Sequence, residues 1–280
     1  MSNRFQTRLL RRARAQLGGT WVKDAYLASQ RGLYGVERAV RGRLANPERL
    51  CPRLQVYGRK VHSQNDEDGV LEYLFSRIPP RESFFVEIGV GPPWCGGAPG
   101  DVRKYGLECN CRLLAARGWR GLFIDGESYP AHLGVRQEFV TAENINELLA
   151  NYEVPEDFDL FSLDIDGNDY WVWEALAYQP SVVVIEYNAA IASSESKTIP
   201  YDPSFSWSAH GRTKYYGASL LALGRLGERK GYALVYANGV NAFFVRSPLV
   251  PNIADFVYER IYRYKDIHAE LRGDEVWQEV

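Results

Sequence analysis

Four short runs of β-branched and aromatic residues, each ending in polar residues or glycine, most constrain the fold of this chain. Helical patterns separate the runs, and their ends carry Glu87 with Gly89 and Gly91, Asp125, Asp164, and Glu186 with Asn188. Apolar strands that alternate with helices are typical of a doubly wound α/β sheet. Because parallel strands end at one edge, where such folds bind ligands, the sequence predicts that these ends form one site.

The densest group of acids follows the third run. Asp164, Asp166 and Asp169 surround Gly167 directly after an apolar strand. Carboxylates this close repel one another unless a cation or the hydroxyls of a ligand occupy the site. A helix amino end also favours acids, so we expect at least one of the three to be structural. We favour Asp164, the nearest to the strand, for chemistry.

The C-terminal part predicts a strand pair and then a helix. The apolar stretches 232–237 and 241–245 flank Asn238-Gly239, which is a strong hairpin signal. A classical NAD-binding fold instead closes on parallel strands and uses G-x-G-x-x-G. Residues 252–270 have a helical pattern, as do the stretches 63–75, 107–117, 144–152, 171–177 and 217–230.

Composition fits one enzyme-sized body that does not bind nucleic acid. The 280 residues carry a net charge of −2, and no apolar run is long enough to span a bilayer, so we expect no transmembrane segment. The cysteines lack metal-site spacing, and we recognise no signal peptide. We therefore expect a cytoplasmic protein with reduced thiols at Cys51, Cys95, Cys109 and Cys111.

Residues 1–52 form a predicted basic helical appendage to a domain spanning 53–280. Eleven arginines and lysines face three acids within residues 1–50, which gives this stretch +8 and leaves −10 for the remainder. Apolar residues at helical spacing lie beneath the arginines, which is compatible with a membrane-surface helix or an organellar targeting peptide. We favour a helix that packs on the acidic body or mediates a homo-oligomer.

With these motifs in place, the chain resembles the class I S-adenosylmethionine (SAM) methyltransferases, whose last strand is inserted antiparallel. More narrowly, it is similar to the FkbM-type and macrocin O-methyltransferase families over roughly residues 60 to 247. The matching motifs are Ser63-Gln64 with Glu67-Asp68, Glu87-Ile-Gly89, residues 118–125, and Asp164-Ile-Asp166-Gly. The resemblance implies a Rossmann-like class I methyltransferase sheet that ends in an antiparallel hairpin.

The resemblance also implies roles for individual residues. The glycines would lie against the methionine part of SAM, Asp125 would bind the ribose hydroxyls, and Asn144 falls near the expected adenine side. The implied cofactor-binding set is Gln64, Glu87, Gly89, Gly91, Asn110, Asp125, Asn144 and Asp164. The chain departs from the family by an insertion at residues 92–105.

A metal set and a general base are the two catalytic expectations. In metal-dependent relatives the acid at Asp164 ligates magnesium, and Glu186 with Asn188 occupies the place of their acid pair. Tyr187 stands where close relatives often carry an acid. Without a metal, His210 or a carboxylate must take the proton. The long segment of residues 189–216, which contains His210, is expected to lie over the acceptor pocket as a lid.

The expected function is a SAM-dependent O-methyltransferase, with Mg²⁺ as a candidate second cofactor. The acceptor is a small molecule or glycan, namely a hydroxyl of a sugar or of a glycosylated natural product. This preference rests on the resemblance and on the ring set Tyr201, Trp207, Tyr215 and Tyr216. Three alternatives remain open: an N-methyltransferase, a metal-dependent glycosyltransferase that uses Asp164-x-Asp166, and a non-catalytic SAM-binding or interaction protein.

Overall fold

The computed structural model of the chain describes residues 49–91, 108–265 and 275–280. Most of the predicted basic appendage, Cys95, the insertion at 92–105 and the end of the predicted C-terminal helix lie outside the described residues. Within them the fold is α/β, as predicted, and is built on a mostly parallel seven-stranded sheet.

The strands and helices alternate through the first two thirds of the described chain. The strands are β1 Phe84–Ile88, β2 Arg120–Asp125, β3 Val135–Gln137, β4 Leu160–Leu163, β5 Val182–Glu186, β6 Lys197–Thr198, β7 Tyr232–Ala237, β8 Asn241–Arg246 and β9 Gln278–Glu279. The α-helices are α1 Glu67–Arg77, α2 Arg112–Ala116, α3 Ile145–Asn151, α4 Asp169–Ala175, α5 Leu220–Arg229 and α6 Tyr258–Ile261.

The large sheet has the order β3-β2-β1-β4-β5-β8-β7 among the described strands. Strands β1 to β5 are parallel, whereas β8 lies antiparallel between β5 and β7. The predicted hairpin at Asn238-Gly239 is therefore confirmed as the β7–β8 connection. A separate two-stranded antiparallel sheet pairs β6 with β9.

Helices cover both faces of this sheet, which explains why its central strands are apolar throughout. All four residues of β4 and the first four of β5 are buried. Successive residues point to opposite faces, so Val86 and Ile88 join one hydrophobic cluster and Phe85 joins the other. The first cluster includes Trp173 of α4, and the second includes Leu74 of α1.

Strand register brings the polar strand ends into one row. Ile88 lies opposite both Ile124 and Leu163, and Leu163 lies opposite Ile185. The next residue along each strand, Gly89, Asp125, Asp164 and Glu186 respectively, therefore lies at the same carboxyl edge of the sheet. The prediction that these ends share one edge is confirmed.

Two helix predictions are wrong in extent. The predicted helix over 252–270 contains, in its described part, a 3-10 turn at Ile253–Asp255 and only the short helix α6. The Arg263 guanidinium donates to the backbone oxygens of Arg260, Ile261 and Tyr262, which terminates α6. The predicted helix over 107–117 begins only at Arg112.

Two findings bear on the setting of the chain. Among the described residues, no helix combines the length and apolar character that crossing a membrane requires. Cys51, Cys109 and Cys111 are free thiols, as expected, and the latter two are buried.

Candidate functional site

A cavity of about 450 Å³ opens at the carboxyl edge of the sheet. This volume lies within the range of small-molecule sites, about 300–1,000 Å³. The cavity is lined by Gln64, Gly89, Val90, Gly91, Asp125, Asp164, Asp166, Glu186, Trp207, Tyr216, Gly239, Val240 and Lys265. Six of the predicted site residues line it, namely Gln64, Gly89, Gly91, Asp125, Asp164 and Glu186.

The glycine turn after β1 forms the floor of the cavity. Gly89 has a φ of +81°, and a Cβ there would lie 1.5 Å from the backbone oxygen of Asp164. A Cβ on Gly91 would lie 2.6 Å from the backbone oxygen of Glu108. A side chain at either position would therefore collide with neighbouring backbone, so only glycine fits. Because the two residues have no side chains, the backbone of the turn is open to the cavity.

Asp125 ends β2 beside this turn. Its Oδ2 accepts from the backbone N–H of Val90 at 2.8 Å, and its Oδ1 accepts from that of Glu127 at 2.8 Å. A carboxylate offers about four acceptor positions. Asp125 can therefore accept further hydrogen bonds from ligand hydroxyls while it holds the turn.

Three carboxylates meet at the ends of β4 and β5. One oxygen each from Asp164, Asp166 and Glu186 lies within 4.8 Å of the others. Asp166 has a φ of 56°, in the left-handed region. Asp169 stabilises the backbone on both sides of Asp166, because its two oxygens accept from the backbone N–H groups of Ile165 and Gly167, each at 2.9 Å. Asp169 is thus the structural acid of the group.

The electrostatics of this acid triad (Asp164, Asp166 and Glu186) favour a bound cation. Burial raises the pKa of Asp164 and of Glu186 above the usual range, and the neighbouring acids raise both further. Burial also raises the pKa of Asp166, although Arg212 opposes that shift. Glu186 Oε2 is buried and has no hydrogen-bond partner. A positive charge at the triad would therefore favour its full ionisation.

The carboxylate cluster differs from the predicted metal set at one position. We predicted Asp164, Glu186 and Asn188, but the third member of the cluster is Asp166. Asn188 is fully buried, and its Nδ2 donates to the backbone oxygens of Lys214 and Tyr216. Its Oδ1 accepts from the N–H of Ala190. The Asn188 side chain thus positions the segment of residues 189–216 and does not line the cavity.

Glu87 and Asn110 lie behind the cavity wall. The two Glu87 oxygens accept from the backbone N–H groups of Asn110 and Cys111, at 2.6 and 2.8 Å. The Asn110 side chain donates to Ser162 Oγ at 3.0 Å. The pair therefore ties β1 and β4 to the start of α2.

Asn144 and His210 also lie outside the cavity lining. Asn144 exchanges hydrogen bonds with Thr141 just before α3, so its side chain is committed to the start of that helix. The His210 ring stacks on Phe205, with ring centroids 4.7 Å apart. From the same segment, Trp207 and Tyr216 line the cavity, which agrees with the prediction that residues 189–216 lie over the pocket.

The buried Glu87 carboxyl predicts a distinct pH dependence of stability. Burial raises its pKa to about 7, against the two N–H donors that lower it. The folded protein therefore holds a proton that the unfolded chain releases near pH 4.5. This group lowers the free energy of unfolding as pH rises from about 4.5 to 7, by about 3 kcal/mol in total. Urea unfolding at several pH values should show this fall in the wild type.

Glu87→Gln is the matched variant, because glutamine cannot titrate. The difference in unfolding free energy between the wild type and Glu87→Gln should change by about 3 kcal/mol across the same pH window. Parallel curves for the two proteins would show that Glu87 has an ordinary pKa.

The site contains residues that the sequence did not single out. Gly239, Val240 and Lys265 line the cavity from the β7–β8 turn and from the chain after α6. The hairpin signal located this turn, but nothing in the sequence placed it at this cavity. Comparisons of the chain with protein-family models, curated proteins and solved structures find no match.

Proposed function

We propose that this chain is a SAM-dependent O-methyltransferase that acts on a hydroxyl of a sugar or of a glycosylated natural product. One observation carries the proposal: the glycine turn of β1, the acid that ends β2 and the acid triad line one cavity. The sheet order, with β8 antiparallel between β5 and β7, is the arrangement that the family resemblance implies. It supports the methyltransferase proposal over a NAD-binding enzyme.

The cavity residues fit the parts of SAM. The spare acceptor positions of Asp125 suit the paired hydroxyls of a ribose. The glycine turn offers backbone without side chains, and the nearby carboxylates favour a positively charged sulfonium. SAM supplies an already activated methyl group, so the protein has to align the acceptor and accept its proton.

The acid triad fits a magnesium-type ion. Its donors are all carboxylate oxygens, which suit hard divalent cations, and the unpartnered Glu186 Oε2 is available as a ligand atom. Such an ion, when bound, lowers the pKa of a coordinated alcohol. Trp207 and Tyr216 face the same cavity, and their rings suit the apolar face of a sugar.

Replacement of Asp125 tests the cofactor assignment. We expect the wild type to bind SAM with a micromolar dissociation constant, and Asp125→Ala to weaken binding by about 10- to 100-fold, because a charge-assisted contact is lost. Isothermal titration calorimetry measures both. Asp157→Ala is the control, because Asp157 is exposed and pairs with Arg81 instead of lining the cavity. Failure of the wild type to bind SAM, or equal affinity in Asp125→Ala, would contradict the proposal.

A metal-dependent glycosyltransferase is the second candidate, and one observation favours it. Asp164 and Asp166, the two acids of a D-x-D motif, both belong to the triad. Such enzymes hold a sugar nucleotide through a metal at this motif. Calorimetry with a panel of sugar nucleotides and Mn²⁺, run beside the SAM titration, separates the two candidates, because each predicts a different nucleotide ligand.

A further inference from the structure

The acidic run Asp66-Glu67-Asp68 lies outside the cavity lining, yet it contacts two loops that form the cavity wall. Glu67 and Asp68 are buried, and neither has a salt-bridge partner among the described residues. Their hydrogen-bond partners are instead neutral N–H and O–H donors. Two buried carboxylates with no countercharge are costly to keep unless their hydrogen bonds offset that cost.

Asp68 shapes the loop that leads to Gln64. Its Oδ2 accepts from the backbone N–H groups of residues 61, 62 and 63, each at 2.8 Å, and from Ser63 Oγ at 2.7 Å. Four donors on one oxygen curl the loop around the carboxylate. The curl carries the chain to Gln64, which lines the cavity.

Glu67 connects this loop to the β7–β8 turn. Its Oε1 accepts from Asn238 Nδ2 at 2.8 Å and from Asn241 Nδ2 at 3.0 Å. Its Oε2 accepts from the backbone N–H of Asn65 at 2.8 Å. Asp66 adds a second acceptor for Asn238, at 2.9 Å. Glu67 thus contacts both sides of the wall at once.

Asn238 connects the two acids to residues that line the cavity. While its Nδ2 donates to the two acids, its Oδ1 accepts from the backbone N–H groups of Val240 and Asn241, at 3.0 and 2.8 Å. Gly239, with a φ of +93°, completes the turn. Because Gly239 and Val240 line the cavity, the orientation of one side-chain amide sets this part of its wall.

We propose that Glu67 is a positioning residue, which holds Asn238 and Asn241 so that the β7–β8 turn and the Gln64 loop form one rigid wall of the ligand cavity. The ligand part of this proposal rests on the proposed function. The positioning part does not, because it concerns the conformation of the turn itself. Glutamine at position 67 keeps the shape but places an N–H₂ donor against other donors.

The test compares Glu67→Gln with a buried acid at the opposite edge of the sheet. Asp159 is fully buried and accepts from the backbone N–H groups of Arg81, Glu82 and Phe84. Asp159→Asn therefore removes a comparable set of hydrogen bonds far from the cavity. Both variants are expected to lose stability, so loss of stability alone does not distinguish positioning from a purely structural role.

Amide hydrogen exchange by NMR on the full chain gives the distinguishing readout. Relative to the slowest amides of β5, exchange at Val240 and Asn241 should be about tenfold faster or more in Glu67→Gln and unchanged in Asp159→Asn. Calorimetry should show SAM affinity about tenfold lower in Glu67→Gln and unchanged in Asp159→Asn. Asn238→Ala should reproduce both effects, and the double variant should add little to them.

The outcomes separate the two proposals. Unchanged relative exchange at Val240 and Asn241 in Glu67→Gln overturns the positioning role, whether or not SAM binds. Faster exchange with unaltered SAM affinity, in a wild type that binds SAM, overturns its relevance to the ligand. A wild type that binds no SAM overturns the proposed function, and the exchange data still decide the role of Glu67.

Discussion

Glu186→Gln is expected to abolish divalent-metal binding and at the same time to stabilise the metal-free protein. The variant removes one of three clustered carboxylates, one oxygen of which is buried without a partner. The amide of the variant also keeps the hydrogen bond between the side chains of residues 164 and 186 without taking up a proton. We expect Mn²⁺ affinity to fall about 100-fold or more and the free energy of unfolding to rise by about 1–2 kcal/mol. Mn²⁺ titration by electron paramagnetic resonance and urea unfolding measure the two effects.

Asp169→Asn is the control, because Asp169 belongs to the same acidic group but has a structural role. Its oxygens accept from the N–H groups of Ile165 and Gly167. Its replacement should therefore destabilise the protein by about 1–3 kcal/mol, opposite in sign to the Glu186 variant. If the wild type binds no Mn²⁺, or Glu186→Gln keeps the wild-type affinity, the triad is not a metal site. If Glu186→Gln destabilises the protein, the expected repulsion within the triad is wrong. Under the proposed function, methyl transfer should correspondingly fall with a chelator and return with Mg²⁺.

The position of the site followed from the sequence because two simple regularities act together. An apolar run that ends in polar residues marks where a buried strand emerges, and parallel strands all emerge at one edge. Strand register aligns these ends, because Gly89, Asp125, Asp164 and Glu186 each lie one position beyond the aligned residues Ile88, Ile124, Leu163 and Ile185. The position of these strand ends can therefore be predicted without knowledge of any side-chain contact.

The direction of individual side chains could not be predicted in the same way. Asn188 lies only two residues beyond the end of β5, yet its amide turns back to the backbone of residues 214 and 216. Asp166 turns toward Glu186 because it adopts a left-handed φ in a loop that Asp169 braces. Both outcomes depend on partners that are distant along the chain or on a single backbone angle.

The partners of the buried acids could not be predicted for a related reason. Glu87 precedes two glycines, a pattern typical of a ligand site, but its donors lie 23 and 24 residues away in sequence. Glu67 finds its partners more than 170 residues away. The sequence records that an acid is present, whereas its role depends on which backbone N–H groups the fold brings to it.

Gly89→Ala is expected to lower the free energy of unfolding by more than the strain of a positive φ alone. The additional loss arises because the alanine side chain collides with the backbone that follows β4. A Cβ at position 89 would lie 1.5 Å from the Asp164 oxygen, which is part of the backbone and cannot move like a side chain. Strain at positive φ adds about 1–2 kcal/mol. We expect a total loss beyond about 4 kcal/mol, or failure to fold.

Gly134→Ala separates the two causes, because Gly134 has a φ of +72° but no neighbour within 4 Å of an added Cβ. The free energy of unfolding of Gly134→Ala should fall only by the strain of the positive φ, about 1–2 kcal/mol. Urea unfolding of both variants gives the difference, which measures the contact between the turn and Asp164. Any Gly89→Ala protein that folds must displace the Asp164 backbone, so its Mn²⁺ affinity should fall as well. Equal losses in the two variants would mean that the turn and the triad do not share this contact.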